Sequence, residues 1–131
     1  MTTLYETDKL IIEHEFEDAY LYDKISGEKI VHDDFYGDPE CGLISKNNDW
    51  AIIGGEHLTL WINGKIEKIE NDDLKWVYSL RAKGDYSVEI LIDPWSDKSA
   101  IWELDLKTLK YIKVREFTDY REKGHCDKII W

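Results

Sequence analysis

Three stretches of this chain, residues 19–31, 58–69 and 101–112, repeat one plan: a run of alternating apolar and polar residues, a tight polar turn, and a returning run with the same alternation. Successive side chains of an extended strand point to opposite faces, so a period of two marks half-buried strands and argues against helices. Asn63-Gly64 is the strongest of the three turns, because both central positions of a type I′ turn need positive φ. Ser26-Gly27 and Lys107-Thr108 are weaker signals of the same event. Each of the first two hairpins is followed by a more apolar pair of runs, residues 41–44 with 50–55 and then 76–80 with 86–92. Eight Tyr and six Trp reinforce the β reading, since aromatic rings suit a pleated surface.

The plan recurs at 39 positions from Tyr22 to Trp61 and at 44 from Leu60 to Leu104, about the length of a four-stranded propeller blade. Asp49-Trp50-Ala51-Ile52-Ile53-Gly54-Gly55 resembles an inner blade strand, and Ile101-Trp102-Glu103-Leu104-Asp105 an outer one. About two and a half such units cannot close a ring that needs at least four blades. The expectation is therefore an all-β fold, an antiparallel meander of hairpins forming a partial β-propeller-like or two-sheet β-sandwich domain, with sheet edges that must be covered, charged or paired. With 131 residues, two prolines and no linker-like stretch, residues 1–131 read as a single domain. Short helical turns are expected only after Asn71, as a cap, and over residues 117–124.

The formal charge of −11 is unevenly divided. Residues 1–75 hold 18 acids against 7 lysines, whereas residues 76–131 hold 10 acids and 10 bases. A field of that sign repels phosphate backbones, so the chain is not expected to bind nucleic acid; it would attract a basic partner. No apolar run approaches the roughly 20 residues that span a bilayer, and the N-terminus has neither a basic region nor an apolar core of a leader, so the expected location is the cytoplasm, with no membrane association. Cys41 and Cys126 then read as thiols that pack as small hydrophobes.

Catalytic chemistry is hard to find. In Glu13-His14-Glu15 the histidine faces away from both acids, and in His125-Cys126 adjacent side chains of an extended chain diverge, so neither is a catalytic pair. The four histidines do not cluster with cysteines at zinc spacing, the acidic loops lack the ligand pattern of a calcium loop, and Ile53-Gly54-Gly55-Glu56 lacks the lysine of a phosphate cradle and reads as a strand exit. No catalytic residue, metal or cofactor is implied.

What remains is a set of loops in which acids neighbour aromatic rings. Charged groups steer and orient association while Tyr and Trp anchor it. The candidate partner-binding residues are Asp33, Asp34, Tyr36, Asp38 and Glu40 after the first hairpin, Asp72 and Asp73 after the second, and Trp95, expected to be the exposed tryptophan. The stretch Cys41-Gly42-Leu43-Ile44-Ser45-Lys46-Asn47-Asn48-Asp49-Trp50-Ala51-Ile52-Ile53-Gly54-Gly55-Glu56, running on to Trp61, together with the chain's size, acidity and hairpin plan, resembles small immunity proteins of bacterial polymorphic-toxin and contact-dependent growth inhibition systems. That resemblance implies a protein that binds and neutralises a cognate toxin domain, often a basic nuclease, by electrostatically complementary contact. The alternative is a carbohydrate-binding or scaffold β-domain.

Overall fold

The computed structural model describes residues 1–121, 123–124 and 129–131. Among these residues twelve strands form three antiparallel four-stranded meanders, each a continuous piece of chain. Sheet 1 contains β1 (Thr2–Glu6), β2 (Leu10–Glu15), β3 (Asp18–Asp23) and β4 (Lys29–Asp34). Sheet 2 contains β5 (Cys41–Ile44), β6 (Trp50–Gly54), β7 (Leu58–Ile62) and β8 (Lys65–Ile69). Sheet 3 contains β9 (Val77–Gly84), β10 (Ser87–Ile92), β11 (Ala100–Asp105) and β12 (Tyr111–Glu116). The first strands lie side by side, β1 against β5 and β5 against β9, and the sheets fan out from that line. This is the partial-propeller alternative, with three sheets where a sandwich would have two. Three units are complete because β1 and β2 supply the apolar pair that precedes the first hairpin.

Sheet 2 is the middle layer, and its sequence shows why. Strand β6 is buried at every position: Trp50 and Ile52 pack toward sheet 3 with Val88, Ile90 and Leu104, while Ala51 and Ile53 pack toward sheet 1 with Ile12, Leu21 and Val31. A strand covered on both faces must be apolar throughout, which accounts for the unbroken run Trp50-Ala51-Ile52-Ile53. At Gly54 a Cβ would lie 2.8 Å from Val77 Cγ1 and 3.0 Å from Cys41 Sγ, so only glycine lets the neighbouring strands approach this closely. Burial pushes the Cys41 thiol up from its ordinary value, which keeps it protonated and inert.

The turns follow local chemistry. Asn63 and Gly64 take φ of 51° and 74°, as a type I′ turn requires. Asn71 caps a single 3-10 turn, Asp72–Leu74, by accepting a hydrogen bond from the Asp73 amide at 2.9 Å. The segment after β12 does not form a helix among its described residues. It runs through turns closed by Arg121 N to Thr118 O and Lys123 N to Tyr120 O. Its side chains Phe117, Tyr120, Ile129 and Trp131 lie on the outer face of sheet 3, over Leu91 and Ile101. The His125-Cys126 pair lies outside the described residues. Among the described residues no helix is long and apolar enough to cross a membrane.

Candidate functional site: an acidic and aromatic end

Because each sheet is a meander, its connections alternate between two ends. One end gathers the β2–β3, β4–β5, β6–β7, β8–β9 and β10–β11 connections, and contacts join them in sequence. Phe35 N donates to Glu17 O at 2.8 Å and Gly37 N to a Glu17 carboxylate oxygen at 2.5 Å. Farther along, Glu40 N donates to Gly54 O, Val77 N to Gly55 O and Asp93 N to Trp76 O.

The charge of these connections is lopsided. Residues 16–17, 35–40, 55–57, 70–76 and 93–99 carry nine acids (Glu17, Asp38, Glu40, Glu56, Glu70, Asp72, Asp73, Asp93 and Asp97) against Lys75 and Lys98. The connections of the opposite end, residues 7–9, 24–28, 45–49, 63–64, 85–86 and 106–110, carry four acids against five lysines. The acidic end thus recruits Asp93 and Asp97 from the half of the chain with no net charge.

Among the acids stand three exposed rings. Phe16 and Tyr36 are 78% and 75% exposed, and Trp76 is 50% exposed. Tyr36 meets Trp76 edge-on, with ring centroids 6.2 Å apart. Phe16 and Trp76 also hold φ of 52° and 60°, a left-handed backbone that bulky residues rarely adopt. His14 Nδ1 lies 3.0 Å from Phe16 O, on the face of β2 away from Glu13 and Glu15, and steadies this turn. Two large rings are therefore displayed at positions where glycine would sit more easily.

Trp76 separates two depressions. A cleft of about 270 Å³ is lined by Asp38, Glu40, Glu56, Trp76, Tyr78, Asp93 and Trp95. A broader groove of about 730 Å³ has five acids (Asp72, Asp73, Asp93, Asp97 and Glu116) and three lysines (Lys75, Lys98 and Lys113) in its lining, with Trp76 and Trp102. Six of the eight candidates, Tyr36, Asp38, Glu40, Asp72, Asp73 and Trp95, therefore meet here, and exposed Asp34 ends β4 beside them.

Two candidates differ from expectation. Trp95 is half-buried: the Asp93 carboxylate and carbonyl accept from Trp95 N and Ser96 N, and this turn folds the ring edge-on against Tyr78 at 5.2 Å. The exposed tryptophan is Trp76. Asp33 is not in a loop either, because β4 continues through Asp34, and strand alternation puts Asp33 on the same face as buried Val31. There its carboxylate accepts from the Thr59 hydroxyl at 2.5 Å and lies 2.7 Å from His57 Nε2 and 3.8 Å from Lys68 Nζ. Burial opposes its charge, but Thr59, His57 and Lys68 outweigh that penalty and hold the carboxyl below its ordinary value. His57 is 2% exposed, with Glu56 3.1 Å from its other ring nitrogen and the Phe35 ring stacked on it at 4.0 Å. This group clamps sheet 1 to sheet 2 beneath the acidic end, and its ring has no open approach for a substrate. Among the described residues no three His, Cys, Asp or Glu side chains gather as metal ligands.

Phe16 and Glu17 escape a reading by loop composition because their connection is only two residues long. The signal was a lone aromatic inside Glu13-His14-Glu15-Phe16-Glu17-Asp18, too apolar for a solvated turn. In comparisons with known proteins, no protein-family model matches the chain, and no curated protein matches it.

Proposed function

We propose that this chain is a binding protein that captures a cationic protein domain with its acidic, aromatic end, and that it acts as an immunity protein in the cytoplasm by occluding a basic toxin domain such as a nuclease. The observation that carries this reading is the concentration of nine acids and three exposed rings on one set of connections while the opposite end is nearly neutral. A nuclease must present Lys and Arg to phosphate, and a surface with this charge competes for the same side chains. The complementary fields raise association rates by roughly 10 to 10³ fold. Phe16, Tyr36 and Trp76 supply the anchors that convert encounter into a lasting complex.

Co-expression with the toxin domain encoded beside it is expected to restore growth, and binding of the purified pair is expected to weaken steeply between about 50 and 200 mM salt, a range over which screening lengths shorten. Changing Asp38, Asp72 and Asp73 to Asn should lower the association rate at least tenfold and flatten that salt dependence. Unchanged association would remove these loops from the interface. A glycan receptor would instead show saturable quenching of Trp76 fluorescence by oligosaccharides with little response to salt.

A further inference from the structure

The two depressions beside Trp76 are furnished differently. In the broader groove the chain supplies its own cation: Lys113 Nζ stands over the Trp102 ring at 5.4 Å and lies 2.9 Å from a Glu116 carboxylate oxygen. Ring and acid there already have an occupant. The smaller cleft is made of the same kinds of side chain without one. Among the described residues its lining holds four carboxylates, Asp38, Glu40, Glu56 and Asp93, and no lysine or arginine. Lys75 stands beyond the lining, 3.8 Å from Glu56 Oε1, and is shared with Asp72 at 3.7 Å. With Lys75 set against Glu56, three carboxylates remain, and none of Asp38, Glu40 and Asp93 forms an ion pair among the described residues.

Size and walls narrow what fits. A volume of about 270 Å³ lies below the roughly 300 to 1,000 Å³ of pockets that enclose small molecules, so the cleft takes one side chain and excludes an oligosaccharide or a helix. Buried Gly55 and Val77 give it an apolar part, and Tyr78 and Trp95 brace each other edge to face at 5.2 Å. Trp76 keeps half of its surface open although Tyr36 meets it at 6.2 Å. Asp93 is fixed by its backbone, since its N donates to Trp76 O at 3.0 Å and its carboxylate accepts from Trp95 N at 3.4 Å. Indole surface beside fixed carboxylates suits a planar cation that stacks through its face and donates through its edge. Guanidinium does both, whereas an ammonium group is a compact, strongly hydrated point charge. The chain builds this arrangement once for itself: the Arg81 guanidinium lies over the Trp131 ring at 4.1 Å while its Nε donates to Glu89 at 2.7 Å.

We infer that this cleft receives one arginine side chain of the cationic partner, its guanidinium stacked on Trp76 and hydrogen-bonded to Asp93 and Glu40. The inference rests on the proposal that the acidic end captures a basic protein domain, and it adds which side chain is read and where. The groove, with three lysines among its five acids, is not a second socket of this kind.

Nuclear magnetic resonance of the intact chain, titrated with N-acetyl-arginine amide, tests this without the partner. Saturable shifts of the Trp76 and Trp95 indole N–H signals are expected at about 1 to 10 mM, the strength of one stacked, charge-assisted contact. N-acetyl-lysine amide should bind at least about fivefold more weakly. Lysine is the stringent comparison, because Lys107 sits over the Tyr86 ring at 4.1 Å within this same chain. Asp93→Asn combined with Glu40→Gln should abolish the arginine response, and Glu40→Gln alone, at an exposed position, should weaken it about threefold. Glu28→Gln combined with Asp85→Asn makes the same change of net charge at the opposite end and should leave the response intact. Circular dichroism verifies that each variant is folded. Equal affinity for the two probes, shifts centred on Trp102, or shifts spread over the acidic residues without saturation overturn the inference. Failure here with growth still rescued by co-expression would remove the socket and keep the capture of a basic domain; arginine binding without rescue would keep the socket and remove the capture.

Discussion

At the scale of residues, the molecule accepts local cost where it displays rings and spends its strongest polar contacts where it joins sheets. Phe16 occupies a left-handed position of a two-residue hairpin turn and is almost fully exposed, so Phe16→Gly should raise the stability to urea by about 1 kcal/mol. The same change should weaken partner binding about tenfold, an opposite sign that a merely structural ring would not give. Asp33 behaves in reverse. Asp33→Ala leaves His57 buried beside one carboxylate where there were two, and a loss of about 3 kcal/mol is expected in chemical denaturation. Because the folded state holds the Asp33 carboxyl below its ordinary value, its contribution is complete above about pH 4, near the unfolded value, and is lost as pH falls through the lower folded one. The gap in stability between wild type and Asp33→Asn should therefore narrow progressively in acid titrations below about pH 4.

At the scale of elements, the edges and the final segment decide what each sheet can touch. The outermost strands are charged along their free sides, with Lys65, Glu67 and Lys68 on β8 and Lys113, Arg115 and Glu116 on β12, and such charges discourage pairing with other chains. The segment after β12 acts differently, because Phe117 is fully buried and Trp131 accepts the Arg81 guanidinium over its ring at 4.1 Å. Deleting residues 118–131 should uncover Leu91 and Ile101, lower the melting temperature by several degrees and increase binding of a hydrophobic dye. Much at this scale was legible in the chain. Alternation located the hairpins, the unbroken apolar run marked β6, and Asn63-Gly64 and Asn71 behaved as their chemistry requires. The phase of the repeat was harder to see, because β1 and β2 carry Glu6, Glu13 and Glu15 on an open face and so lack the apolar density of β5 and β6. Asp33 was misplaced for a related reason: two adjacent aspartates resemble a loop by composition, and only the continuation of β4 sends one inward and the other outward.

At the scale of the whole molecule, three consecutive meanders convert a sequence gradient of charge into a polarity between two ends. The chain's own linear division understated this, because Asp93 and Asp97 come from the balanced part and join the acidic end only when sheet 3 folds against sheet 2. Neither end is visible in any single segment, and Trp76 gains its position from the meeting of the β6–β7 and β8–β9 connections. The electrostatic reading is therefore a property of the assembled array. Titrating salt during stopped-flow association should separate the two halves of the recognition, with the on-rate falling about tenfold from 50 to 200 mM while the off-rate, set by the rings, changes little.

The double burial of β6 also bears on how the chain comes off the ribosome. Sheets 1 and 2 can pair their strands as soon as residue 69 emerges, since all their backbone partners are local, yet Trp50 and Ile52 then lack their cover from sheet 3 until β10 and β11 are synthesised 18 to 36 residues later. For that interval the nascent protein carries a sticky, unshielded middle layer, the kind of surface that recruits chaperones, and a stalled or truncated translation product ending before Ser87 would be a ready substrate for aggregation or proteolysis.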